Sequence, residues 1–279
     1  MICFPNAKIN LGLQVVSQKP DGYHNIETIF YPIPFCDALE IVLSESNETT
    51  FIQTGILVDG NTNDNLVMKA FRLLEKDFDL PKIAIYLRKQ IPFGAGLGGG
   101  SADAAFMLKL LNDFAGLGLS VEELEKYAGQ LGADCPFFIR NSPVFAEGIG
   151  NIFTPVDISL RDYYLVLINP DIHISTKEAY SGINPKQPTS RLTEIIRLPV
   201  GEWKNYMVND FEEGTFASYP IIGEIKQSLY DLGAIYSSMS GSGSSIFGIF
   251  ENYKKISTFA SKIKAIEKNR LMCEIFKIS

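Results

Sequence analysis

The sequence predicts an α+β protein in two units, and three stretches predict it. Near the start, Lys8 to Val16 alternates: Ile9, Leu11, Leu13 and Val15 against Asn10, Gly12 and Gln14. That period of two is a half-buried strand. In the middle, five glycines crowd into residues 94–100, and an Ala/Leu-rich run follows at once. That is a loop feeding a helix of strong propensity. In the tail, strand and helix patterns follow in the order strand–helix–strand–strand–helix–strand, an α+β layer like a split βαβ unit.

Taken in order, Pro20-Asp21-Gly22 is a turn, because each of these residues favours turn geometry. Strands are expected over 28–35, 38–44 and 51–58, and 59–64 reads as a polar loop. Leu66, Ala70, Leu73 and Leu74 give 65–78 helical spacing, and 82–88 is a strand delivering the chain into the glycine loop. Ser101 is the expected N-cap of the helix that follows. Ser120-Val-Glu-Glu123 is a capping box opening a second helix, closed at Gly132. Pro136 then turns Cys135 out of the helical region, leaving Asp134 on a sharp exit. Residues 137–140 and 143–147 read as a hairpin that Gly148 and Gly150 break. From 163 a second unit opens with a buried strand and an irregular proline-rich middle. An amphipathic helix over 221–232, strands over 234–239 and 246–250, a helix over 253–266 and a last strand over 271–278 complete it.

With 279 residues and 46% hydrophobic content the chain can bury a full core. A net charge of −7 argues against nucleic acid or a membrane surface as partner. The four cysteines, Cys3, Cys36, Cys135 and Cys273, are scattered without a C-x-x-C pair. A disulfide framework or zinc site is therefore not expected, and His24 and His173 are too few for a histidine metal cluster. The start lacks a basic segment before an apolar run, and no apolar run reaches spanning length. A reducing cytoplasm is the expected compartment.

A glycine loop running into a helix points free N–H groups and the positive dipole end at one spot, which suits phosphate. Gly94, Gly96 and Gly99 satisfy G-x-G-x-x-G, but the acidic residue a dinucleotide site needs falls, as Asp113, inside the helix. No Gly-Lys-Ser/Thr triplet of a Walker A loop exists. A structural glycine bend is the alternative. Phosphoryl transfer also needs a carboxylate for the acceptor's proton and a cation. Asp134 is the carboxylate, weighed against a plain turn aspartate; Lys8 is the cation, weighed against a solvated strand end. Lys89 stands at the mouth of the loop. Tyr23-His24 could stack on a base, or simply pack at a turn. Ser240 to Ser245 could meet a phosphate, or form a tight hairpin.

Pro92-Phe-Gly-Ala-Gly-Leu-Gly-Gly-Gly-Ser-Ala-Asp-Ala-Ala105 resembles the phosphate-binding motif of the GHMP small-molecule kinases, and Met239-Ser-Gly-Ser-Gly-Ser-Ser245 their C-terminal glycine motif. Ala7-Lys-Ile-Asn-Leu11, Asp21-Gly-Tyr-His24, Asn65-Leu66, Gly132-Ala-Asp-Cys-Pro-Phe-Phe138, Glu147-Gly-Ile-Gly150 and Asn209-Asp210 narrow the match. They are similar to the branch that phosphorylates the 2-hydroxyl of a cytidine-diphosphate-linked polyol in the non-mevalonate isoprenoid pathway. The resemblance implies a two-domain α+β fold. An S5-like ATP domain (1–157) faces a ferredoxin-like substrate domain (158–279), with the active site in the cleft. It implies ATP with Mg2+, a small cytidyl substrate, no nucleic acid or membrane partner, and a monomer or homodimer. It implies Asp134 as general base and Lys8 as its partner. Pro92, Gly94, Ala95, Gly96, Leu97, Gly98, Gly99, Gly100 and Ser101 would hold the ATP phosphates, with Lys89 and Asn65 on the nucleotide side. Asn10, Tyr23, His24, Thr176 and Tyr180 would serve the acceptor, Tyr23 and His24 recognising cytosine with Tyr180 opposite. The metal ligands are left open; Asp103 is one possibility. Departures from the pattern include Asn6, Ala102 and Lys177. Kinases of the same superfamily acting on mevalonate, homoserine or a sugar, and a non-catalytic nucleotide-binding regulator, are the alternatives.

Overall fold

The computed structural model describes residues 1–56, 62–254, 256 and 272–278. In chain order the elements begin with β1 (Ile2–Cys3), β2 (Asn6–Gln18), β3 (His24–Cys36), β4 (Ala38–Leu43) and β5 (Thr50–Gly55). Next come α1 (Leu66–Glu75), β6 (Ile83–Lys89), α2 (Gly99–Phe114), α3 (Val121–Leu131), α4 (Phe137–Arg140), β7 (Val144–Glu147) and β8 (Ile152–Pro155). Then follow β9 (Tyr164–Asn169), α5 (Thr176–Tyr180), α6 (Leu192–Ile195), α7 (Phe211–Ser218), α8 (Pro220–Asp231), β10 (Tyr236–Met239), β11 (Ile246–Phe250) and β12 (Met272–Lys277). The helix expected over 253–266 falls largely outside the described residues, as do positions 57–61 of the expected strand and loop.

The chain parts into two compact units: Met1–Lys8, Pro34–Phe93 and Gly98–Ser142 in one, Ile9–Ile33, Gly94–Leu97 and Pro143–Ser279 in the other. This division interleaves along the chain, where a single cut after residue 157 is expected. Strand pairing is the cause: β3 pairs with β7 and β7 with β8, which draws early residues to later ones.

In the first unit a sheet of order β1-β4-β6-β5 carries α1 to α4. β5 and β6 pair in parallel with α1 between them, while β4 runs antiparallel to β6. On β6 the alternation puts Ile83, Ile85, Leu87 and Lys89 on the buried face. α3 has the expected capping box of Ser120 and Glu123. α2 is buried almost all round, through Ala102, Ala104, Ala105, Met107, Leu108 and Leu111.

In the second unit β9, β10, β11 and β12 form an antiparallel sheet of order β10-β11-β9-β12. This is the strand order of the expected ferredoxin-like layer. α8 lays Ile222, Ile225 and Leu229 against a core that includes Val166, Ile168, Ile246 and Phe250.

Two local expectations are corrected. Residues 137–140 form a helix, not a strand. Three apolar residues cannot separate the two periods, and Pro136 at φ −60° starts the turn that Asn141, at φ 55°, ends. The hairpin is instead β7–β8, with Gly148 and Gly150 in its turn. β2 is buried on both faces rather than one: Lys8, Asn10 and Gln14 lie inside with the aliphatic residues.

Candidate active site

In the first unit, α2 starts at Gly99 and its N-cap is Gly98, at φ 69° in the left-handed region. Ser101, expected as the cap, lies within the first turn. Any side chain at 98 would collide: its Cβ would lie 2.9 Å from Phe138 Cζ and 3.2 Å from Lys8 Cε. The glycine therefore lets Lys8, from β2, and the Asp134 turn close on the start of α2. Lys8 Nζ is 3.6 Å from Asp134 Oδ2, with the lysine side chain 5% exposed and the aspartate 33%. Burial pulls the Lys8 ammonium below its usual range, and the Asp134 charge and hydrogen bond oppose that. The next residue, Cys135, is buried, and its thiol is pushed up to about 11 by that burial, against a hydrogen bond from Ser101. Two expected catalytic residues and the N-terminal turn of a 16-residue helix are thus brought together. Chemically the cluster offers a carboxylate open to solvent, a buried cation beside it, and backbone donors with the positive end of the helix dipole.

The two residues expected on the nucleotide side, Lys89 and Asn65, both make contacts within the protein. Lys89 lies on the inward face of β6, 2% exposed, and ion-pairs with Asp37 and with Asp103 Oδ2, the latter at 2.9 Å. Asp37 also accepts from the N–H groups of Gln90, 2.5 Å, and Ile91, 2.9 Å. The Lys89 charge is spent inside the protein, beneath Gly99, whose Cβ would lie 2.9 Å from Nζ. Asp103 keeps one oxygen with no hydrogen-bond partner among the described residues. Burial pushes its carboxyl up to about 7, although Lys89 draws it down. Asn65 is the N-cap of α1, its side-chain oxygen accepting from Val67 N at 2.9 Å.

In the second unit, the first half of the glycine loop lies against the second one. A Cβ on Gly96 would stand 1.9 Å from the Ser240 carbonyl oxygen, so that position admits no side chain. Ser240 Oγ donates to Gly96 O at 2.9 Å, and Ser245 N to Ala95 O at 3.3 Å. Ala95 and Leu97 are buried, and Pro92 is partly buried. The 240–245 loop is the expected hairpin turn between β10 and β11, and Asn209 Nδ2 holds it by donating to the carbonyls of Met239 and Gly241. Asn10, expected to meet the acceptor, is buried, its amide donating to Thr28 Oγ1 at 2.9 Å and its N–H to Ser240 Oγ at 3.2 Å.

His24 and Tyr180 stack on each other, ring centres 4.7 Å apart and 17° from parallel. Of the three residues expected around cytosine, Tyr23, His24 and Tyr180, the last two are therefore in direct ring contact. Phe211 meets Tyr180 edge-on at 4.8 Å. Tyr23 stands apart, 63% exposed, its N–H bonded to Asp21 Oδ1. Thr176 is the first residue of α5, capped by Ser175, and is exposed.

Sequence reasoning missed Asp37 and His173. Alternation along β6 carried a usable signal for the first: it places Lys89 with Ile83, Ile85 and Leu87, and a buried lysine needs a carboxylate. Nothing local marks His173, whose ring would lie 3.0 Å from a Cβ on Gly94. Among the described residues no three His, Cys, Asp or Glu side chains are grouped to hold a metal, and no helix is long and apolar enough to cross a membrane.

Residues 65–142 match the GHMP kinases N terminal domain and 193–269 the GHMP kinases C terminal domain. The chain is 62% identical over 263 residues to the 4-diphosphocytidyl-2-C-methyl-D-erythritol kinase of Parabacteroides distasonis, covering 93% of this chain and 96% of that protein. It is 60% identical over 258 residues to the same enzyme of Bacteroides fragilis, covering 92% and 94%. A crystal structure of 4-(cytidine 5'-diphospho)-2C-methyl-D-erythritol kinase superimposes with a TM-score of 0.84 at 28% identity, over 100% of both chains.

Proposed function

The chain belongs to the family of 4-diphosphocytidyl-2-C-methyl-D-erythritol kinases, and from that premise we propose how its residues carry out the phosphoryl transfer. It is an ATP-using small-molecule kinase of the isoprenoid pathway. The acceptor is the 2-hydroxyl of 4-diphosphocytidyl-2-C-methyl-D-erythritol. Asp134 takes the hydroxyl proton while the hydroxyl oxygen forms a bond to the γ-phosphorus. The bond from that phosphorus to the bridging oxygen breaks in line, and ADP leaves with the electron pair. Lys8, held beside Asp134, orients the hydroxyl and balances the charge. The free N–H groups of Gly99, Gly100 and Ser101 hold phosphate oxygens.

Mg2+ takes few protein ligands when it travels with phosphates. Ser101 fits it: its hydroxyl proton goes to the Cys135 thiol, and the oxygen keeps its lone pairs. Asp103 does not, because its open oxygen is buried beside Lys89. Bound with the nucleotide, Mg2+ would neutralise charge on the transferring phosphoryl group.

The observation that carries the reading is the Lys8–Asp134 pair packed on the first turn of α2. The exposed Tyr23 supports cytosine stacking, and the protein works in the cytoplasm on a small molecule. The test is ADP release with Mg2+ and ATP, offering the cytidyl acceptor, mevalonate, homoserine and galactose in parallel. Release with the cytidyl acceptor alone is expected; release with another acceptor and not this one would overturn the assignment of substrate.

A further inference from the structure

We propose that His173 is a phosphate-binding residue of this kinase, its imidazole N–H donating to a phosphate oxygen at the start of the glycine loop. Three segments of the second unit converge there. The His173 ring lies over Gly94, close enough that a Cβ on that glycine would stand 3.0 Å from Cε1 and Nδ1. Gly96 meets the Ser240 and Gly243 carbonyls, and a Cβ on Gly243 would stand 3.4 Å from Ile174 Cδ1.

The backbone on both sides of His173 is pinned. Ser244 Oγ donates to Ile172 O at 2.6 Å, and Asp171 N donates to Asn169 Oδ1 at 3.0 Å. Asn169 Nδ2 in turn donates to Ser245 Oγ at 3.1 Å, and Ile174 is buried in the core. Between these anchors the His173 side chain is left at the surface, beside an exposed Gly94.

The two loops it borders, 94–97 and 240–245, contain only Gly, Ala, Leu and Ser. Neither offers a charged group to a phosphate. On its own segment the charged neighbours are Asp171 and Lys177. An imidazole held at this junction adds an ionisable side-chain donor where the loops supply only neutral backbone N–H groups and serine hydroxyls. The phosphate could belong to ATP or to the diphosphate of the acceptor. The chemistry is the same in both cases.

This inference rests on the kinase reading, so the experiment begins with the wild-type protein. Failure of the wild type to release ADP with the cytidyl acceptor would sink the kinase reading itself. With an active wild type, His173→Ala is expected to raise one KM about tenfold or more, the usual cost of a hydrogen bond to a charged group. The melting temperature is expected to stay in place. A rise in the KM for ATP alone assigns the phosphate to the nucleotide; a rise in the acceptor KM alone assigns it to the acceptor's diphosphate. His173→Gln keeps an N–H donor and is expected to recover most of the loss. Both KM values unchanged in His173→Ala, a melting temperature that falls with them, or a Gln variant no better than Ala would each overturn the proposal.

Discussion

Two lysines of the first unit, Lys8 and Lys89, are both buried beside aspartates, yet their surroundings differ. Lys89 is enclosed by Asp37 and Asp103, whose side chains are 0% and 4% exposed. Lys8 faces one aspartate across 3.6 Å, and that aspartate is 33% exposed. A buried charge that only holds structure is stable when its partners are enclosed with it. A charge that must act on a substrate needs a partner within reach of solvent. The glycine loop links the two: Gly98 packs on Lys8, and Gly99 on Lys89. On the proposed mechanism Lys8 acts beside the base, while Lys89 stays within the cluster beneath the start of α2.

The sharpest break of this comparison is Asp134→Asn. Turnover is expected to fall by about 10²–10⁴, the usual span for a positioned base, while ATP binding by calorimetry stays within a few-fold. Unchanged turnover would remove Asp134 as the base. Lys89→Met acts on the closed cluster. It strands two buried carboxylates and is expected to cost about 3–5 kcal/mol of stability in urea unfolding. A variant of normal stability with a raised KM for ATP would instead make Lys89 a nucleotide contact. Tyr23→Ala removes an exposed ring, so stability should hold. Its expected effect is confined to the KM of the cytidyl acceptor and is worth about 1–3 kcal/mol, the range for base stacking. A loss of ATP affinity would put the ring on the wrong substrate.

The last test concerns Asp103. Its carboxyl is raised on folding from 3.8 to about 7, chiefly by burial. Between those values the folded protein keeps a proton that the unfolded chain has released. Stability therefore falls as pH rises through that window, by at most about 1.4 kcal/mol per pH unit for one proton. Asp103→Asn should remove this slope from a series of urea midpoints taken across it. An identical slope in the variant would show that another group titrates.

Much of the fold can be read from local pattern. The capping box at Ser120, the glycine loop feeding α2 and the strand order of the tail all come from neighbouring residues, and the structure has each of them. Residues 137–140 are too short for periodicity to choose helix over strand. Alternation with Ile83, Ile85 and Leu87 turns Lys89 inward.

The sequence by itself determined the chemical inventory and the family: the glycine loops, Lys8, Asp134 and the Asp-Gly-Tyr-His turn are short-range motifs, legible because their residues are adjacent. Only the tertiary structure decided how those groups are used. It set Lys8 against Asp134, 126 positions away, enclosed Lys89 between Asp37 and Asp103, stacked His24 on Tyr180, and brought His173 over Gly94. Such pairings depend on which strands and loops meet in space, and no local period or propensity encodes that. For the same reason the two units interleave along the chain: sheet partners are chosen by register and burial, not by sequence distance.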